Sequence, residues 1–337
     1  MSRFGIKDTR SEKQTKGDAM GTVRMRRRRR DYSPGNILFW IVFLGIPLLL
    51  YVVFVISPFV QAAYYSLTSW GGFSNDRPFV GLANYIQLFN DATFLIALRN
   101  SVILLVFLPA ATLAVSLFFA VLISVGGVST GGVRGLPGSG FYRVVSFFPH
   151  VIPGIVVGVM WAMVLLPRGG LVNSVLTGIG LSGFNSFPWL GTQTTALPVS
   201  ILIMMWGQIG FYMLLFIAAI KDIPAETFEA ARLDGAGRAR TTLAITIPGM
   251  RDNVQTAWIW LGIFALDAFV YMTALNAEGG PNNSTLVITQ YLFRVAFVNG
   301  EFGYASAMGV FLAVITLLFA AIVFSVNRIA ARGKLDA

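Results

Sequence analysis

The 337-residue chain contains no cysteine and a single histidine, His150. Disulfides and thiolate metal sites are therefore excluded, and redox compartment is left unread. Charge is also scarce: Asp, Glu, Lys and Arg together make up 12%, while 55% of residues are apolar. A soluble domain could not carry that balance without large exposed apolar patches. The chain has no G-x-x-x-x-G-K-[ST] phosphate loop, nor any nucleophile, base or metal constellation, and so offers no catalytic or nucleotide-binding site. The acids number 15 against 25 basic residues, a surplus that raises nucleic-acid binding until the positions of the basic residues are considered.

What the chain has instead is long apolar runs. A bilayer span needs roughly 20 apolar residues, and six stretches qualify: about Ile37 to Leu67, Ser101 to Val125, Val144 to Leu166, Leu197 to Ile220, Val254 to Ala277 and Tyr304 to Val326. These runs are longer than barrel strands and apolar all round, which predicts an all-α integral membrane protein. With the amino terminus inside, 21 of the 25 basic residues fall in inner segments, leaving Arg77, Arg99, Arg168 and Arg294 outside. The positive-inside rule then places both termini in the cytoplasm and makes nucleic-acid binding unnecessary.

The predicted organisation is a basic, disordered cytoplasmic tail over 1–36, a six-helix transmembrane domain over 37–328 and a short cytoplasmic tail over 329–337. Arg26 to Arg30 form a basic run that either anchors the topology or binds anionic lipid headgroups. A cleaved signal peptide is disfavoured, because the apolar segment is too long and no clear A-x-A site ends it. Pro47 and Pro58 are expected to bend span one or divide it. Leu82, Tyr85, Ile86 and Phe89 predict an interfacial helix in the loop that follows, and the Gly-rich stretch Gly126 to Gly140 suggests a mobile turn. Gly154 with Gly158, and Ala305 with Gly309, have the small-xxx-small spacing that admits close helix contact, whether in ordinary packing or at a specific interface.

Between spans four and five lies a polar island, 221–248. Asp222 can cap its first helix, Pro224 suits a first turn, and Glu226 and Glu229 sit near the positive end of the helix dipole. Asp234-Gly235 should stop that helix, with a second running from Arg238 to Ile247 before Pro248. Two readings follow from the physics alone. In one, Ala230 and Ala231 allow close approach while Phe228 and Leu233 anchor the loop in a protein groove; in the other, the loop is a solvated linker with a Glu229–Arg232 pair.

The island reads Glu229-Ala230-Ala231, then Gly235 after three residues, Ile245 after nine more, and Pro248. It resembles the EAA loop of permease subunits of binding-protein-dependent ABC importers, departing from it in having Ile247 where Leu usually precedes the proline. FVGLANYIQLF at 79–89, GGLVNSVL at 169–176 and ALDAFVYMTALNAEGGPNNST at 265–285 are similar to signatures of the carbohydrate-uptake branch. Within that branch the chain resembles the first of two paired maltose- or glycerol-phosphate-type permeases.

The resemblance implies a type I ABC importer permease fold in a bacterial inner membrane. It also implies a second, paralogous permease completing a heterodimer, two ATPase subunits that bind ATP and Mg, and an extracytoplasmic solute-binding protein delivering a sugar, most simply a di- or oligosaccharide. Phe228, Glu229, Ala230, Ala231, Leu233, Asp234 and Gly235 would form the ATPase-coupling segment. This subunit would hold no cofactor and perform no covalent chemistry.

For the substrate, Asp267 is the only acid deep in a span, where a carboxylate costs at least about 2.5 kcal/mol. Either it lines a sugar path, with Tyr271 stacking one turn away and Asn276 further out, or it makes a structural bond between helices or lies in a wet outer zone. His150 lacks an acidic partner in its segment and reads as a packing residue. Trp161, Trp206, Trp258 and Trp260 suit interface anchoring, with sugar stacking as the alternative. Import of another solute such as glycerol phosphate, or ion-coupled secondary transport, remains as a rival, although Asp267 and His150 are a thin supply of buried ionisable groups for the latter.

Overall fold

Helix dominates the computed structural model, which describes residues 38–124 and 138–332. The basic tail with Arg26 to Arg30, most of the Gly-rich turn and residues 333–337 lie outside the described residues. Two compact units divide the chain, Met1–Pro58 and Phe59–Ala337. The first is described as helix from Leu38, and α1 runs Leu38–Tyr65. Pro47 and Pro58 do not divide it. The wide-turn segments Ile41–Gly45 and Val52–Ile56 each end two residues before a proline. The proline ring displaces the carbonyl one turn back, and an i→i+5 turn accommodates it without a break. Thr242–Thr246 ahead of Pro248 repeats the device.

In the second unit the helices are α2 (Ala83–Asn90), α3 (Ala92–Ser124), α4 (Ser139–Val151), α5 (Gly154–Val164), α6 (Leu171–Gly178), α7 (Ala196–Lys221), α8 (Ala225–Leu233), α9 (238–249), α10 (Arg251–Leu266), α11 (Phe269–Leu275), α12 (Ile288–Val298) and α13 (Phe302–Arg332). Helices α1, α3, α7 and α13 are each long and apolar enough to cross a bilayer, and the bent pairs α4–α5 and α10–α11 raise the number to as many as six.

The stretches expected as spans three and five are thus each a pair of helices meeting at a bend. The first pair bends by 97°, because Pro153 forces Ile152 into an extended conformation (φ −75°, ψ 130°). The second bends by 49° at Asp267–Ala268, where no proline marks the break.

Three apolar clusters carry the packing. Leu113, Phe216, Ile220 and Leu261 centre one near the α7–α8 corner, Leu104, Met204 and Met272 the next, and Phe94, Leu286 and Met308 the third. Gly154 and Gly158 let α5 press onto α11: a Cβ at Gly154 would stand 2.7 Å from the Tyr271 ring, and one at Gly158 would collide with Ala274. Ala305 is buried in the third cluster and Gly309 faces Leu292 of α12, so both small-residue pairs pack within the subunit.

Of the expected apolar stripe, Leu82 at the N-cap and Ile86 and Phe89 in α2 are exposed, whereas Tyr85 turns inward, packing on the third cluster with its hydroxyl 2.8 Å from Ser66 Oγ. The inner face of α2 is fastened by Asn84, whose Nδ2 donates to the carbonyls of Ser66 and Thr68, both at 2.8 Å. In α6, Asn173 donates to Pro167 O and Phe187 O and accepts from Trp189 Nε1 at 2.6 Å, so this asparagine gathers the α5–α7 connection around itself.

Candidate functional site

The polar island folds as a helical hairpin, α8 followed by α9. Asp222 does not cap α8 as expected; it closes α7, its amide bonding Ala218 O, and Pro224 takes the N-cap position with no side-chain cap. Extended geometry at Pro224 (φ −54°, ψ 131°) starts the helix instead.

At the other end Gly235 has φ +72°. The amide of Ala236 bonds Ala231 O at 2.9 Å and that of Gly235 bonds Arg232 O at 3.0 Å. These are the two bonds of a Schellman end, which needs a left-handed residue where Gly235 stands.

The faces of α8 correct the anchor assignment. Phe228 is only 3% exposed and packs into the cluster of Ile220 and Met250, with Ile223 and Ile245 at its edge. It cannot enter a partner groove while it fills this one. Ala231 is buried beside it. Glu229, Ala230, Arg232, Asp234 and Gly235 are exposed, and Leu233 is 89% exposed. The outward surface thus combines an acid, a small residue and one uncovered leucine, held rigidly from behind by Phe228.

The second predicted group comes apart. Asp267 is exposed at the α10–α11 break, but the bend turns α11 so that Tyr271 faces inward. Tyr271 is 7% exposed, wedged against Gly154 and Gly207 and edge-on to Phe264 (5.6 Å, 81°). It is a packing residue, not a stacking platform for sugar. Asn276 ends α11, its carbonyl accepting from Gln290 Nε2 at 3.1 Å. His150 stacks on Phe211 (4.7 Å, 21°), and Trp161 meets Trp206 edge-on (5.4 Å, 79°).

Beyond Tyr271 the chain forms a cavity of about 550 Å³ between α11, the 276–287 loop and α12, whose lining includes Thr273, Glu278, Gln290 and Arg294. Of these residues the sequence names only Arg294, and only as one of the four outer basic residues. The available signal was Gln290 and Arg294, four residues apart in a mostly apolar helix.

Asp91 is a further unread hub. Its Oδ1 accepts from the amides of Thr93 and Phe94 (2.8 and 3.2 Å), capping α3, and its Oδ2 from the hydroxyls of Tyr291 and Tyr304 (2.6 and 2.9 Å). Burial raises its pKa, but the two tyrosine hydroxyls and the two amides outweigh that and leave it below the ordinary carboxylate value.

Comparison with known proteins gives three concordant findings. The family profile described as binding-protein-dependent transport system inner membrane component matches residues 123–335. The diacetylchitobiose uptake system permease protein NgcF of Streptomyces coelicolor is 53% identical over 309 residues, covering 92% of this chain and 88% of that one. Two crystal structures of a bacterial alginate ABC transporter share the fold. One aligns with TM-score 0.73 at 22% identity, covering 87% of this chain and 96% of that chain. The other, in complex with an alginate pentasaccharide-bound periplasmic protein, aligns with TM-score 0.72 at 21% identity, covering 86% and 93%.

Proposed function

Since the chain belongs to the binding-protein-dependent transport system inner membrane component family, the multi-pass inner-membrane permeases of ABC importers, we propose that it is the half of a heterodimeric sugar path that takes a neutral disaccharide, N,N′-diacetylchitobiose or a close analogue, from an extracytoplasmic binding protein. The 53% identity to the NgcF permease supports the substrate class. In the proposed topology α4–α5 and α10–α11 each count as one span, which makes six and leaves both termini and the α8–α9 hairpin on the same, cytoplasmic side. The inner excess of basic residues supports that orientation.

The observation that carries the coupling role is the division of α8: Phe228 and Ala231 lock inward, while Glu229, Ala230 and Leu233 face out. A short helix gripped by its own subunit on one side and offering a low-relief surface on the other moves as a rigid handle. Docked in a cleft of an ATPase subunit, which binds ATP and Mg, it would transmit ATPase closure to α7 and α10, which flank the hairpin. Asp267, exposed at the α10–α11 break, remains the candidate hydroxyl acceptor on the path. Tyr271 acts behind it by fixing the bend.

Reconstitution tests this reading. Proteoliposomes bearing this chain, its paired permease and the ATPase subunits should accumulate labelled diacetylchitobiose only with ATP inside and binding protein outside. Uptake by this chain alone, driven by an ion gradient, would contradict it.

A further inference from the structure

We propose that the cavity of about 550 Å³ between α11, the 276–287 loop and α12 is an outer saccharide subsite, selective for neutral sugars over phosphorylated solutes. This rests on the importer reading above and assigns it a place of first contact. The cavity lies at the far end of span five from the α8–α9 hairpin: from Arg251 to Leu275 the two helices rise about 36 Å, less the shortening of their bend.

The cavity is built, not incidental. Asn100 of α3 donates to Asn283 O (3.0 Å) and Leu286 O (2.9 Å), and Ser101 Oγ accepts from the amide of Ile288 (3.1 Å), so the loop is pinned to a buried part of α3. Asn282 and Asn283, both at the rim, hold left-handed backbone at φ 52° and 59°. Two consecutive non-glycine residues in that region are strained, and such strain persists only where surrounding structure imposes it.

Inside the cavity, Gln290 is 5% exposed, with Nε2 donating to Asn276 O at 3.1 Å and to Thr273 Oγ1 at 3.5 Å, and Oε1 left without a partner among the described residues. A buried acceptor without a donor is costly unless something supplies one. A sugar hydroxyl or an acetamido N–H does so. Arg294 is oriented by its bond to Glu278 O (2.7 Å), and Phe269 and Phe293 lie together (5.3 Å between rings, 47°), offering ring surface to a pyranose C–H face.

The mixture of carboxamide, aromatic rings and one charged side chain of each sign in the lining suits a saccharide. A single arginine, held by the Glu278 backbone carbonyl in a lining that also carries the Glu278 carboxylate, is a poor receptor for a phosphate dianion, which calls for uncompensated positive charge.

The native absence of cysteine makes the test direct. Thr273, on the cavity wall, is changed to Cys, with Ser182→Cys in another loop as the control. Both are carried in the full importer in proteoliposomes with binding protein present. The rate of modification by an impermeant maleimide is then compared with N,N′-diacetylchitobiose, with glycerol 3-phosphate and with no solute.

The disaccharide is expected to slow modification at Thr273→Cys about fivefold or more and to leave the control unchanged, glycerol 3-phosphate protecting neither. Adding Phe293→Ala removes the protection without shifting the thermal melt. Equal rates with and without sugar, in a complex that imports the disaccharide, overturn the subsite, and protection by glycerol 3-phosphate overturns its selectivity. If the unmutated complex imports no diacetylchitobiose, the substrate reading fails separately. Protection by maltotriose then upholds the subsite, and its absence with both sugars refutes it.

Discussion

Phe228 and Leu233 sit on the same nine-residue helix, yet one is 3% and the other 89% exposed, and their substitutions should part accordingly. Phe228→Ala empties a filled site and should destabilise the subunit by about 3 to 5 kcal/mol, read as a lower melting temperature in detergent. Leu233→Ala should leave melting unchanged and reduce ATPase recovered with the purified permeases. Equal effects on melting would mean that α8 has no inner and outer face.

Asp91 carries a pH dependence whose sign is fixed by its bonds. Its folded pKa lies below the unfolded value of about 3.9. The stabilisation it gives is therefore present above about pH 4 and is lost as pH falls through the lower, folded pKa. Melting temperature followed from pH 7 to pH 3 should hold and then drop, whereas Asp91→Asn should start lower and show less of the acid drop.

At the scale of elements, some features were legible and others were not, for identifiable reasons. The carboxyl end of α8 could be read because Gly235 acts through local backbone geometry, whereas at the amino end Pro224 marked the neighbourhood but Asp222 does not make the cap expected of it. Which face of α8 turns inward could not, since a short helix with Phe228 and Leu233 has two apolar candidates and only the tertiary partner chooses. The spans are apolar all round, so period gives no buried face, and Tyr271 was misplaced for that reason together with an unmarked bend at Asp267–Ala268.

Pro153 is a visible cause for the α4–α5 break. The wide turns ahead of Pro47, Pro58 and Pro248 show why proline alone does not predict a break: the ladder can loosen by one residue instead. The close contact of α5 with α11 was available from the spacing of Gly154 and Gly158. Gly158→Val should therefore cost about 1 to 3 kcal/mol by overpacking against Ala274, with melting temperature as the readout. An unchanged melt would place that contact elsewhere.

For the whole molecule, the proposed topology rests on charge distribution and on the number of spans, and it can be tested through added cysteines. Phe73 and Leu233 are each 89% exposed, in the connection after α1 and at the end of α8. In intact cells Phe73→Cys should react with an impermeant maleimide, while Leu233→Cys should react only after permeabilisation. The opposite pattern would invert the orientation and remove the hairpin from the compartment that holds ATP.

The central claim is that α8 is the handle by which ATPase subunits move this permease, and Glu229 lies on its exposed side. The most direct measurement compares ATP hydrolysis and sugar uptake in proteoliposomes of the complete importer carrying Glu229→Lys or the unmutated chain. Because Glu229 is exposed, the variant should fold and melt as before. Its uptake should fall to background, and its ATPase activity should no longer respond to sugar-loaded binding protein. Normal uptake with normal stimulation in the variant would contradict the account.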